Sequence, residues 1–168
     1  MRTLSAIVVV LFASVAFAAT DWHQYRSTEG KFSVELPEVP AKASQALRNA
    51  AEATNKVVAV RTDAGSFMVS YVDSDTFDDD RNRLEAILDS TCNGAAAKVG
   101  ATTLRAESLI RNGFVGRSVR FTGRDGTRFK GLVLLAGTRL YQAYASGDAE
   151  FVASKDVERF LNSFRIWK

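Results

Sequence analysis

One cysteine, one histidine and two prolines in 168 residues remove several classes of protein at once. A lone Cys92 cannot close an internal disulfide, so stability must come from packing. One cysteine and one histidine cannot build the cages that hold structural zinc. A Ser-His-Asp hydrolase would rest wholly on His23, and no G-x-S-x-G elbow is there to present its serine. The glycines at 113, 116, 123, 126 and 131 form no phosphate-binding loop. An excess of one charge is missing too. The chain carries 22 Lys+Arg against 19 Asp+Glu, net +3, far from the basic stripe of a nucleic-acid binder.

What is present begins at the N-terminus. Arg2 precedes Leu4–Phe17, a run without charge in which only Ser5 and Ser14 are polar, and Ala16-Phe17-Ala18 follows. This is the order of a secretory signal peptide over residues 1–18, with cleavage expected after Ala18. The run falls short of the roughly 20 apolar residues that cross a bilayer. That argues against an uncleaved anchor, and no transmembrane segment is expected after cleavage. A lipid-anchored form would need cysteine directly after the cut, and the one cysteine is at 92. About 150 residues remain, 19–168, which is one domain's worth of chain. A periplasmic or secreted location follows.

Periodicity then sets the elements. Phe32, Val34 and Leu36 alternate with Lys31, Ser33 and Glu35, so that strand has one buried and one wet face. An aromatic strand at 22–26 precedes it, across the turn Ser27-Thr28-Glu29-Gly30, where Gly30 is free to take positive φ. Pro37 and Pro40 end the strand. Strands are read at 57–61 and 67–72, joined by Asp63-Ala64-Gly65. Residues 41–55 leave two readings open: their alanines, Leu47 and Glu52 suit a helix, while the lack of an apolar stripe at helical spacing favours a strand at 42–48 and a turn at 49–54. Leu84, Ile87, Leu88, Thr91, Cys92, Ala95 and Val99 recur at three and four, one face of a helix, with Asp78, Asp79 and Asp80 at its positive end. Four strands follow at 102–111, 116–123, 127–136 and 139–146. Asn112-Gly113, Asp125-Gly126 and Gly137-Thr138 mark the hairpin turns between them. A last helix is expected over 154–163, capped by Ser154, with Val157, Phe160, Leu161 and Phe164 as its apolar stripe. The whole is α+β: an antiparallel sheet of about six to seven strands with two main helices packed on it.

The opening WHQYRSTEGKFSVELPEVP at 22–40 resembles the start of PsbP-like domains: an aromatic strand, an acidic-Gly turn and an F-S-hydrophobic strand ending in proline. FMVSYVD at 67–73, GFVGRSVRF at 113–121, GTRLYQAYAS at 137–146 and VERFLNSFRI at 157–166 are similar in the same order. The resemblance implies a PsbP-like α/β/α sandwich. It also implies accessory, assembly or binding roles in exported proteins. It carries over no catalytic residue.

Each chemistry-bearing residue has a plainer alternative. His23 reads as an edge-strand histidine beside Trp22 and Tyr25. Cys92, on the apolar helix face, reads as a small buried hydrophobe. Asp73, Asp75, Asp78, Asp79 and Asp80 invite a calcium loop, but one starting at Asp73 would need Gly and Glu where Asp78 and Leu84 stand. Arg117, Arg120, Arg124, Arg128, Lys130 and Arg139 make the central hairpins basic, fit for an acidic partner or for the wet side of a sheet. Trp22, Tyr25, Tyr141 and Tyr144 line either a ligand pocket or the core. No catalytic, cofactor or metal residue is assigned. The function expected is an exported, non-catalytic binding or assembly-accessory domain of the cell envelope, with an envelope protein or small ligand as partner and no nucleic acid. The alternatives are a small envelope hydrolase with an unrecognised site and a carrier of a small apolar ligand.

Overall fold

The computed structural model describes residues 21–38, 56–74 and 81–167. The signal-peptide segment, the strand expected at 42–48, the turn at 49–54 and Asp75, Asp78, Asp79 and Asp80 lie outside those residues. The elements run β1 (His23–Ser27), β2 (Phe32–Leu36), β3 (Lys56–Arg61), β4 (Gly65–Asp73), α1 (Arg81–Lys98), β5 (Thr103–Arg111), β6 (Phe114–Thr122), β7 (Arg128–Ala136), β8 (Arg139–Gly147), α2 (Ala149–Ala153), α3 (Lys155–Ser163) and β9 (Arg165–Ile166). The fold is α+β and antiparallel throughout.

The strands divide between two sheets, a six-stranded one in the order β3-β4-β8-β7-β6-β5 and a three-stranded one in the order β1-β2-β9. Alternation along each strand of the large sheet feeds two cores. Val60, Phe67, Val69, Tyr71, Leu132, Leu134, Tyr141 and Ala143 face the small sheet and α3. Val119, Phe121, Val133, Leu135, Leu140 and Tyr144 face α1, which returns Leu88, Cys92 and Ala96.

The small sheet is fixed by aromatic contacts and by one arginine. Phe32 is fully buried and meets Tyr25, Tyr71, Tyr141 and Phe164 at ring-centroid distances of 5.9, 6.1, 6.3 and 5.7 Å. Arg139 grips Asp73 through Nε at 2.5 Å and Nη2 at 2.7 Å. Its Nη1 donates to the Glu29 carbonyl at 2.8 Å, and its guanidinium lies 4.7 Å over the Tyr71 ring. The Tyr141 hydroxyl donates to the Gly30 carbonyl at 2.7 Å. The β1–β2 turn is thereby fastened to β4 and β8.

The turns follow their residue chemistry with one correction. Asn112 and Gly113 both take positive φ, 52° and 84°, as a tight hairpin turn demands. In the β1–β2 turn the left-handed residue is Lys31 at φ 51°, not Gly30. Gly30 is required for space instead: a Cβ there would stand 2.6 Å from the Phe32 ring. Ser154 caps α3 as expected, accepting from the Val157 amide. The five-residue α2 before it, capped by Asp148, was not expected.

Candidate docking face

Strand parity sorts the arginines that the sequence grouped together. Arg117 points towards α1 and is buried, donating through Nε to Asp89 at 2.8 Å and through Nη2 to Glu85. Arg139 is held by Asp73, whose carboxyl it keeps below the usual aspartate range. Arg124 lies beside Gly100 at the end of α1. The remaining three lie on the face opposite to Arg117. Arg120 lies directly across from Lys130, and Arg128 is two residues back along β7 on the same face.

Arg105 joins them. It lies directly opposite Arg120 in the β5–β6 pair, so Arg105, Arg120 and Lys130 form one row across three strands. At the ordinary strand spacing of about 4.8 Å the row spans roughly 10 Å. Lys130 is paired with Glu158 of α3. Arg105, Arg120 and Arg128 are exposed and meet no carboxylate among the described residues. Like charges directly opposite one another destabilise a sheet. At the corner of this face Arg111 and Arg165 both donate to the Asn162 carbonyl, at the negative end of α3. Burial and the neighbouring Arg165 charge hold the Arg111 guanidinium below the usual arginine range. The β5–β6 half of the face is uncovered: Thr103, Arg105, Glu107 and Arg120 are all exposed.

The other sequence candidates fall into structural roles. His23 is exposed on β1, an edge of the small sheet. Cys92 is buried on the inner face of α1, where desolvation pushes its thiol up to about 11. Asp73 serves Arg139. No three potential ligands converge on a metal position among the described residues. The four aromatics pack on other rings rather than around a void: Trp22 edge-on to Phe67 at 5.8 Å, Tyr25 on Phe32, Tyr141 on Phe164 at 6.0 Å and Tyr144 on Phe121 at 5.8 Å. An open groove of about 610 Å³ is lined by Phe67 and Phe151 together with Arg61, Asp63, Asp148 and Asp156. Asp148 is already spent on capping the Phe151 amide at 2.8 Å. No helix among the described residues is long and apolar enough to cross a membrane.

Tyr144 stands apart from these. Its hydroxyl finds no hydrogen-bond partner among the described residues, and burial raises its pKa beyond the ordinary tyrosine range. A buried donor without a partner costs free energy that a phenyl ring does not. Tyr144→Phe is therefore expected to raise the unfolding free energy by about 1 kcal/mol, read from the urea midpoint at unchanged m-value.

An α1 layer, a six-stranded antiparallel sheet and a small sheet with α3 together make the PsbP-like fold. The solution structure of cyanobacterial PsbP (CyanoP) from Synechocystis sp. PCC 6803 matches with a TM-score of 0.57 at 11% identity, over 94% of this chain and 99% of that one. At that identity the likeness is one of fold. PA94, a protein of unknown function from Pseudomonas aeruginosa, matches with a TM-score of 0.44 at 12% identity, over 78% of this chain and 85% of its own. No protein-family model and no curated protein matches the sequence.

Proposed function

We propose that this chain is an exported, non-catalytic docking domain that seats on an acidic component of the cell envelope after residues 1–18 are removed. The observation that carries the reading is the cationic row on the uncovered β5–β6 half of the sheet. Arg105 and Arg120 face each other there without a carboxylate from the chain's own described residues. An external acidic surface would relieve that repulsion and be drawn in by it. Export is supported by the order of the N-terminal residues: a basic start, an apolar run and small residues at 16 and 18.

The test is a photo-crosslinking residue at Ser118, on the cationic face, set against one at Asn93 on the outer side of α1, in the native envelope. A discrete adduct from position 118, absent from position 93 and lost in Arg120→Glu/Arg128→Glu, is the expected result. An adduct that survives the double reversal, or equal labelling from both positions, would overturn the reading.

A further inference from the structure

We infer that β5 is a self-pairing edge, joining β5 of a second copy of this chain antiparallel about a two-fold axis at Ala106. This goes beyond the docking reading, and the two are tested with different substitutions. Among the described residues the large sheet ends at β5, and its pairing with β6 is regular over all nine residues, without a bulge. Which of its backbone groups face outward follows from the hairpin at the other end of β6. The Gly123 amide donates to the Thr127 carbonyl at 2.8 Å, so the odd residues of β6 bond to β7. Alternation turns the even residues of β6 towards β5, and the register Arg105↔Arg120 turns the odd residues of β5 back to meet them. The amides and carbonyls of Leu104, Ala106, Ser108 and Ile110 therefore point away from the sheet. Among the described residues this is a four-residue template of unpaired backbone on an exposed strand whose Ile110 is 74% exposed.

Natural edges are defended by charge, and β5 carries three charged residues on one face: Arg105, Glu107 and Arg111. Their order and the length of overlap select the register: centred on Leu109, Glu107 would meet Arg111, but the strands would share only residues 107–111 and Arg111 is already held at the Asn162 carbonyl. A continuous sheet about a two-fold axis leaves only registers centred on one residue. Centred on Arg105, the two arginines oppose each other. Centred on Glu107, the two glutamates do. Centred on Ala106, Arg105 of each copy lies opposite Glu107 of the other, twice, at the non-hydrogen-bonded sites where side chains approach most closely. Ala106 meets its own copy at a hydrogen-bonded site, and Leu104 lies across from Ser108. Across the β5–β6 pair Glu107 faces Ser118 and Arg105 faces Arg120. The second copy supplies what each lacks.

Sedimentation equilibrium on the full chain, as purified from the cells that make it, is expected to show a concentration-dependent dimer. Glu107→Arg and Arg105→Glu each weaken it at least about tenfold, since two cross-strand attractions become repulsions. Arg105→Glu/Glu107→Arg together restore it. Under oxidation Ala106→Cys gives a crosslinked dimer, because directly opposed residues lie within disulfide range, while Ser108→Cys does not. The native Cys92, 1% exposed, does not compete. A chain that stays monomeric at every concentration overturns the inference. So does a dimer indifferent to the single reversals, or one that the double exchange fails to rescue. Arg120→Glu/Arg128→Glu leaves the dimer in place, so loss of docking and loss of self-pairing are separately visible.

Discussion

Phe32→Ala is expected to lower the unfolding free energy by about 3–5 kcal/mol. Phe32 is 0% exposed and stands where four elements meet. Tyr25 belongs to β1, Tyr71 to β4 and Tyr141 to β8, while Phe164 follows α3. On the backbone it pairs with Ser27 on one side and Ile166 on the other, so it sits at the centre of the small sheet as well as against the large one. Truncation removes the ring's own transfer free energy and leaves a hole among four other rings that cannot collapse without moving a sheet. Domains of this size have roughly 5–15 kcal/mol to lose, so the variant should unfold at a much lower urea concentration. The loss is also directional. Amide exchange should quicken first in β1, β2 and β9, whose hold on the large sheet runs through this ring, before β6 and β7 respond. Equal acceleration across both sheets would mean the small sheet does not depend on Phe32 for its attachment.

Much of this was legible in the residues. Phe32, Val34 and Leu36 announced a one-sided strand by alternation, and all three are buried. Asn112-Gly113 announced its hairpin because two successive positive φ angles leave few other residue choices. What alternation cannot convey is the partner. It says that a face is covered, not by what, and so the nine strands of the described residues, divided between two sheets, read as one. The α2 helix is too short to show a period, and only its Asp148 cap could have flagged it. The arginines were legible only in part. Counting them along the hairpins grouped Arg117 with Arg120, yet three residues apart on a strand means opposite faces. Arg105 was missed, although the alternation of Arg105, Glu107, Leu109 and Arg111 places it on the face of Leu109. Its contact with Arg120 needed the register across the Asn112-Gly113 turn. Arg139 and Asp73 meet from 66 residues apart, and no local pattern foretells that.

Arg117 separates two effects that a count of ion pairs would merge. Its side chain is 7% exposed, while its partners Glu85 and Asp89 on α1 are 42% and 56% exposed. If the carboxylates go, in Glu85→Ala/Asp89→Ala, a guanidinium remains under the helix with, among the described residues, only the Gly116 carbonyl at 3.3 Å to accept from it. Leaving a buried charge without its counter-charge costs about 3–5 kcal/mol. If the arginine goes instead, in Arg117→Met, the methionine keeps the packing of the stem, and the two carboxylates turn to water. That change should cost less than about 1.5 kcal/mol, as volume-conserving core exchanges do. The triple variant should recover most of what the double one loses, because the group that suffers is the cation alone. Urea unfolding of the three proteins decides the matter. An Arg117→Met loss equal to that of the double variant would mean that the ion pairs hold α1 onto β6 by their own attraction. The expected inequality means that apolar packing around Leu88, Cys92 and Val119 holds the helix, and that Glu85 and Asp89 serve to make a buried arginine tolerable there.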